Sequence, residues 1–486
     1  MNRLSLKFLL IFVLSVHFAL GTVVNISAPD YKNEVIIWKK KVDYISNKFE
    51  ILDQQIIDSN GNAKLFFKNT KIELTEILIG RSHGMLYLDT ATAIYNLYIP
   101  KDTLIEKASL KKSNVQFLFI DLKKNDINHL ILDFNFELDF FLYGDTNKII
   151  RMAKHNKEFQ DSLNNFKIYL SERYRSNKIK YLHNYIRYEI ALLEQLAHQN
   201  KGDYYKTYLF ESYLKTNEIN YTNDAYMQFF NLFYRDVFKL GGLAINDKIK
   251  FAVNNYNDFK KLIESMDNSK YFSNPKLKEL AAIKGLYDSY YSISYVPENI
   301  ISILNYIAQN SQWNLHKNIA SNCINEISKL SVGAPCPNLK FTDINNKEIS
   351  IDDFKGKYTY INFFASWNNK SLHEMEVINQ FQENYEFVNF VSVNLDHNFK
   401  SYKKVAEEKL YKSWPVIYPL NKQGLISHFQ LDHLPTHLLI DPNGNIYQYP
   451  ALPPTAMYNS QSIDATFFKI QKSLFSKKNY QIGKKN

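Results

Sequence analysis

A chain of 486 residues exceeds what one ordinary core organises, so two or three domains are expected. Apolar residues make up 45% and aromatic residues 15%, which excludes large-scale disorder, and 14 glycines with 13 prolines exclude a fibrous or low-complexity chain. The net charge of +10 is scattered among acids, and its densest run, Lys39-Lys40-Lys41, is short and reads as solvated surface, so no nucleic-acid partner is expected.

The chain opens with Arg3 and Lys7 ahead of an apolar run over positions 8–20, broken only by Ser15 and His17. Ala19-Leu20-Gly21 then offers the small residues of a cleavage site, so positions 1–21 read as an export signal peptide. The run is shorter than the roughly 20 apolar residues of a membrane span. An uncleaved anchor helix is the alternative. No cysteine stands near the cut, which excludes a lipoprotein, and no other stretch is apolar enough to cross a membrane. The mature chain is therefore expected to be exported, periplasmic or associated with the cell envelope, with no stable membrane span.

Positions 22–144 carry short apolar runs separated by polar turns. Examples are Val35-Ile36-Ile37-Trp38, Lys64-Leu65-Phe66-Phe67, Ile77-Leu78-Ile79 and Met85-Leu86-Tyr87-Leu88, with Asp58-Ser59-Asn60-Gly61-Asn62 as a turn. Evenly spaced strand-sized runs predict an antiparallel β-sandwich. Positions 145–330 lose their glycines and show helical stripes. Phe159, Leu163, Phe166 and Leu170 form one, Tyr181, Tyr185, Tyr188, Ile190 and Leu193 a looser second, and Tyr226, Phe229, Phe230 and Phe233 a third. An all-α middle domain is predicted, with the stripes as core.

Positions 331–478 change to an α/β pattern. The run 358–364 reads as a strand buried on both faces. A helix is expected over 371–385, a strand over 387–395, a helix over 399–410, a hairpin around Asp441-Pro442-Asn443-Gly444, and a last helix over 462–475. Positions 479–486 are left as a basic tail.

Four local patterns in this region fall in one order. They are Val332-Gly333-Ala334-Pro335, then Ile351-Asp352-Asp353-Phe354-Lys355-Gly356-Lys357, then Tyr360-Ile361-Asn362-Phe363-Phe364-Ala365-Ser366-Trp367, and last Leu434-Pro435-Thr436 followed by Leu438-Leu439-Ile440-Asp441. Together they resemble the TlpA-like thioredoxin-fold group, exported thiol–disulfide oxidoreductases of the Bacteroidetes type. The resemblance implies a thioredoxin fold, an active-site loop after Trp367, and a cis peptide bond before Pro435. The β-rich region ahead of it also resembles the small sandwich that precedes such domains.

The resemblance implies Cys-x-x-Cys after Trp367, where a helix N-terminus stabilises the first thiolate and the second thiol resolves the mixed disulfide. Here the four positions are Asn368-Asn369-Lys370-Ser371. Neither an amide nor a hydroxyl forms a sulfur–sulfur bond, so the loop cannot carry out dithiol exchange and no catalytic residue is expected in it. Glu374 and Met375 match the group's helix, and Glu376 replaces its proline. Ser371 and His373 are two apart and do not share a helical face, which argues against a nucleophile–base pair. His433 and His437 lack an acidic or thiol partner at ligand spacing, so neither a metal nor a cofactor is implied.

Two further cysteines, Cys323 and Cys336, are too few for a disulfide scaffold. In an oxidising compartment they either pair across the junction of the last two regions, adding about 3 kcal/mol by loop closure, or stand as free thiols. The leading expectation is a redox-inactive thioredoxin-like protein that binds proteins or extended peptides in the envelope, as scaffold or chaperone-like module. Trp367 and the backbone of Leu434, Pro435 and Thr436 would form the groove. The alternative is a thiol–disulfide oxidoreductase that uses Cys323 and Cys336, or a partner's cysteine.

Overall fold

The computed structural model describes residues 21–103, 109–145, 157–197, 202–215, 218–292, 294–407, 414–455 and 461–482. The expected signal peptide lies outside the described residues except for Gly21, as do positions 483–486 of the basic tail.

The β-rich region forms nine strands: β1 (Thr22–Ser27), β2 (Val35–Lys41), β3 (Phe49–Ile56), β4 (Asn62–Phe67), β5 (Glu73–Ile79), β6 (Ser82–Leu88), β7 (Ile94–Tyr98), β8 (Ser113–Asn114) and β9 (Leu118–Ile120). They make two sheets, ordered β4-β1-β7-β9 and β3-β2-β5-β6-β8. Alternate residues such as Val24, Ile36, Trp38, Ile77, Leu86 and Leu97 meet between the sheets. The buried indole of Trp38 donates to Thr75 Oγ1 at 2.9 Å, so its polar handle is satisfied. Pairing is not antiparallel throughout, as strand spacing predicted: β1–β7 and β6–β8 are parallel. These partners are distant in sequence and come together by crossover rather than by hairpin.

The Lys39-Lys40-Lys41 run is not the solvated patch expected. It lies on β2, where Lys39 sits 3.4 Å from Glu76 and Lys40 3.2 Å from Glu73. Burial pulls the Lys39 ammonium down to about 8, against the opposing pull of Glu76. Three consecutive lysines read alone as wet surface, but cross-strand pairing brings a carboxylate beside the first two, and Lys41 donates to Asn47 Oδ1 at 2.9 Å.

The helical layer begins earlier than spacing placed it. Helix α1 spans Ile127–Tyr143, inside the stretch assigned to the sandwich, and Ile127, Ile131, Phe134 and Phe141 belong to the helical core. Its start is set by Asp126, whose side chain accepts from Asn128 N. Next come α2 (Lys157–Arg173), α3 (Lys180–Ala197), α4 (Gly202–Leu209), α5 (Asp224–Phe233), α6 (Leu243–Phe251), α7 (Phe259–Met266), α8 (Pro275–Ser289), α9 (Pro297–Asn310) and α10 (Asn314–Ser328). All four stripe residues of α2 and of α5 are buried. On α3, Tyr185, Tyr188, Ile190 and Leu193 are buried and Tyr181 is half-buried.

Polar contacts join the sandwich to this bundle. Tyr87 OH and Tyr181 OH both donate to Asp224, at 2.8 and 2.9 Å. Asn322 Nδ2 donates to Asp43 at 2.9 Å, and Asn231 Nδ2 to Tyr44 O at 2.8 Å. Burial pushes the Asp224 carboxyl up, and the two tyrosine hydroxyls oppose that shift.

The last region has strands β10 (Lys340–Thr342), β11 (Glu348–Ser350), β12 (Tyr358–Phe364), β13 (Val388–Asn394), β14 (Val416–Pro419), β15 (Thr436–Ile440) and β16 (Ile446–Gln448). Its helices are α11 (Asn369–Gln382), α12 (Phe399–Glu407), α13 (Lys422–His428) and α14 (Ile463–Ile482). The sheet order is β11-β10-β14-β13-β12-β15-β16. Central β12 pairs parallel with β13 and antiparallel with β15. A hydrophobic cluster covers each face, which is why β12 reads as an unbroken apolar run. The β15–β16 turn is built as its residues predict: Asp441 Oδ1 accepts from Asn443 N and Asn445 N, and Gly444 takes φ 89°. Among the described residues no helix is long and apolar enough to cross a membrane.

Candidate functional site

Strand β12 ends at Phe364, and the chain leaves the C-terminal end of this central strand through Ala365-Ser366-Trp367 to begin α11. The turn is pinned at three points. Ser366 N donates to Asp396 Oδ1 at 2.8 Å, and Asp396 is itself buried after β13. Asn368 caps α11, its Oδ1 accepting from Ser371 N at 2.9 Å. The Nδ2 of the same carboxamide donates to Leu434 O at 3.0 Å. One amide therefore ties the start of the helix to the strand that follows it in space.

The groove residues read from the sequence do come together here. The Leu434–Pro435 peptide bond is cis. Trp367 is half-buried and packs on the cluster that contains Leu434. The Leu434, Pro435 and Thr436 side chains are buried, and Thr436 Oγ1 donates to His433 O at 2.9 Å. What this strand leaves to a partner is backbone. Among the described residues nothing accepts from Leu434 N–H. Asn369 and Lys370 are the exposed residues of the loop.

Beneath the loop lies a set of buried polar groups. Glu374 and His437 are 0% and 3% exposed, with Oε2 and Nε2 3.1 Å apart but not aligned as a hydrogen bond. The His437 ring stacks on Tyr360, centroids 5.4 Å apart and planes at 6°. Ser371 Oγ and both side-chain polar atoms of Asn362 are buried without a partner among the described residues. The sequence identified Glu374 as matching the helix but carried no sign of its partner, which lies across the sheet on β15. Asp396 was missed altogether, since a lone aspartate after a strand has no local signature. The capping role of Asn368 was readable, as asparagine before a helix is a preferred N-cap.

Other candidates separate. Ser371 is buried while His373 is exposed beside Glu376, so they cannot act as a nucleophile and its base. His433 is exposed and His437 buried. Among the described residues no group of three or more metal-ligating side chains gathers.

The disulfide weighed between Cys323 and Cys336 is not formed; both are free. The reason is packing. Cys323 is buried in the helical core on α10, whereas Cys336 packs on the core of the last region, in a narrow space with Ile351, Phe354 and Ile440. Burial pushes the Cys323 thiol up, and burial with nearby Asp352 pushes Cys336 up to about 12. Thiolate is the reactive form, so both are weak nucleophiles at neutral pH.

Residues 356–446 match the family model described as Thioredoxin-like. Among curated proteins, the thiol-disulfide oxidoreductase ResA of Bacillus thuringiensis subsp. konkukian is 29% identical over 123 residues, 25% of this chain and 69% of the relative. That of Geobacillus kaustophilus is 28% identical over 132 residues, 27% of this chain and 75% of the relative. Among solved structures, a putative thiol-disulfide oxidoreductase from Bacteroides vulgatus is 23% identical, covers 29% of this chain and 98% of its own, and has a TM-score of 0.26. A thioredoxin-like protein from Bacteroides caccae is 15% identical, covers 55% of this chain and 90% of its own, and has a TM-score of 0.30. This chain thus contains a thioredoxin-like domain, matched over residues 356–446 and homologous to thiol–disulfide oxidoreductases.

Proposed function

We propose that this chain is a redox-inactive thioredoxin-like protein of the cell envelope that binds extended polypeptide beside the altered loop, as scaffold or chaperone-like module. The observation that carries the reading is Asn368. Its carboxamide sits at the first sulfur position and is spent on Ser371 N and Leu434 O, so the loop is a closed structural turn. The Leu434 N–H stays free for the carbonyl of a partner strand, beside a half-exposed Trp367. Export rests on the basic, apolar and small-residue layout of positions 1–21.

The rival reading is thiol–disulfide exchange, and the names of the relatives favour it. It would need Cys323 and Cys336, which lie in different cores, or a cysteine from a partner.

The test is fluorescence anisotropy of a labelled, alkylated, unfolded polypeptide against the full mature chain and its Thr436→Trp and Trp367→Ala variants, each checked by melting. Binding that weakens at least tenfold in both variants is expected. Unchanged affinity in folded variants would sink the groove.

A further inference from the structure

Helices α2 and α3 turn matching faces toward each other. Lys167, Leu170, Ser171 and Tyr174 follow the i, i+3, i+4, i+7 spacing, as do His183, Ile186, Arg187 and Ile190. Between them, closed at one side by Tyr213, is a cleft of about 240 Å³. Its floor is apolar: Leu170, Tyr174, Ile190 and Tyr213 are all buried.

The rim is cationic, and among the described residues no carboxylate lines the cleft; Glu194 and Asp133 lie behind it, accepting from the Tyr213 and Tyr174 hydroxyls at 3.0 and 2.7 Å. Lys167 is already held by Glu194. His183 Nε2 lies 2.8 Å from Asn177 O. Arg187 differs from both. Its Nη2 donates to Ser212 O at 2.6 Å, and its guanidinium lies 5.7 Å from the ring centres of Tyr188 and Tyr213. It makes no ion pair among the described residues. One hydrogen bond and two aromatic faces thus hold the planar fork in place at the mouth of the cleft, with donors left over. A fixed fork with spare donors fits a carboxylate bidentately. Apolar walls with one placed charge are the usual make-up of a small-ligand site, although this one lies below the roughly 300–1,000 Å³ of drug-sized pockets.

We propose that the α2–α3 cleft binds a small amphiphilic carboxylate, with its apolar body on the Leu170–Tyr174–Ile190–Tyr213 floor and its anionic head on Arg187. The site belongs to the helical region and does not depend on the groove beside Pro435.

The experiment is calorimetric titration of octanoate, octanol and octylamine into the full mature chain at low salt, repeated on Arg187→Gln and Ile186→Trp. Octanoate is expected to bind, octanol more weakly, and octylamine not at all. Arg187→Gln should weaken octanoate by about tenfold or more, the scale of a lost charge-assisted hydrogen bond, and leave octanol unchanged. Ile186→Trp should fill the cleft and abolish binding of both. Absence of octanoate binding, equal binding of octylamine, or unchanged octanoate affinity in Arg187→Gln each overturns the proposal. Should either variant fail to melt like the parent, the contrast between octanoate and octylamine on the unmodified chain decides.

Discussion

The loop at residues 366–371 and the two cysteines are opposites. The loop has the setting that favours a reactive thiol but holds no sulfur: a half-exposed tryptophan, a helix N-terminus and a buried carboxyl group behind it. Cys323 and Cys336 have sulfur without the position. They sit in two separate cores, and burial holds their thiols protonated. Thiol chemistry therefore depends on where the chain places the atom more than on whether it owns one. Helix polarity and access make a thiol reactive, and burial takes that reactivity away.

The sharpest way to break this contrast is to restore the sulfur. Asn368→Cys with Ser371→Cys should raise disulfide exchange, measured by reduction of an insulin-like substrate, from background to a clear rate. The parent and the Cys323→Ser/Cys336→Ser variant should both stay at background. Exchange lost from the parent in that serine variant would mean that the buried cysteines act after all.

The next largest effect is thiol reactivity. Burial and nearby Asp352 push the Cys336 thiol up to about 12, so its thiolate is scarce near neutral pH. Alkylation followed by mass spectrometry at pH 8 should leave both native thiols unmodified and label both in denaturant. Rapid labelling of the folded chain at pH 8 would contradict the burial argument.

Stability effects are smaller. His437→Ala removes the buried imidazole that stacks on Tyr360, and denaturant melts should show a loss of about 1 kcal/mol or more. Asn368→Ala removes both the helix cap and the tie to Leu434, and about 1 kcal/mol is expected by the same measurement. If Asn368→Ala instead costs nothing, the loop is held from elsewhere and the amide is incidental.

Much of this was legible in the chain itself. The unbroken run of β12, the Asp441–Gly444 turn and the α2 and α5 stripes are local patterns, and local patterns survive folding. The loop's chemical deficit was legible for the same reason, since it turns on two residue identities. What escaped were relations across distance. His437 meets Glu374 only because β15 lies beside β12, and Lys39 meets Glu76 only because β2 pairs with β5. The start of α1 also escaped. Ile127, Ile131 and Phe134 lie close behind β9, and an apolar run that follows strands reads as one more strand until its partners are known.

That early start of α1 bears on how such a chain can be cut and recombined. A break after Gly144 would take Ile131, Phe134 and Phe141 away from the bundle they fill and leave them bare on the fragment that kept them. A break on the other side of the helix would sever Asn128 from Tyr87, which it grips through both its amide atoms, at 2.8 Å each. A cut on either side of α1 therefore breaks contacts that join the sandwich to the bundle. The thioredoxin-like third has a core cluster on each face of its own sheet, and Leu110 from the β-rich region is buried in one of them, so a cut between the two would bare that leucine as well.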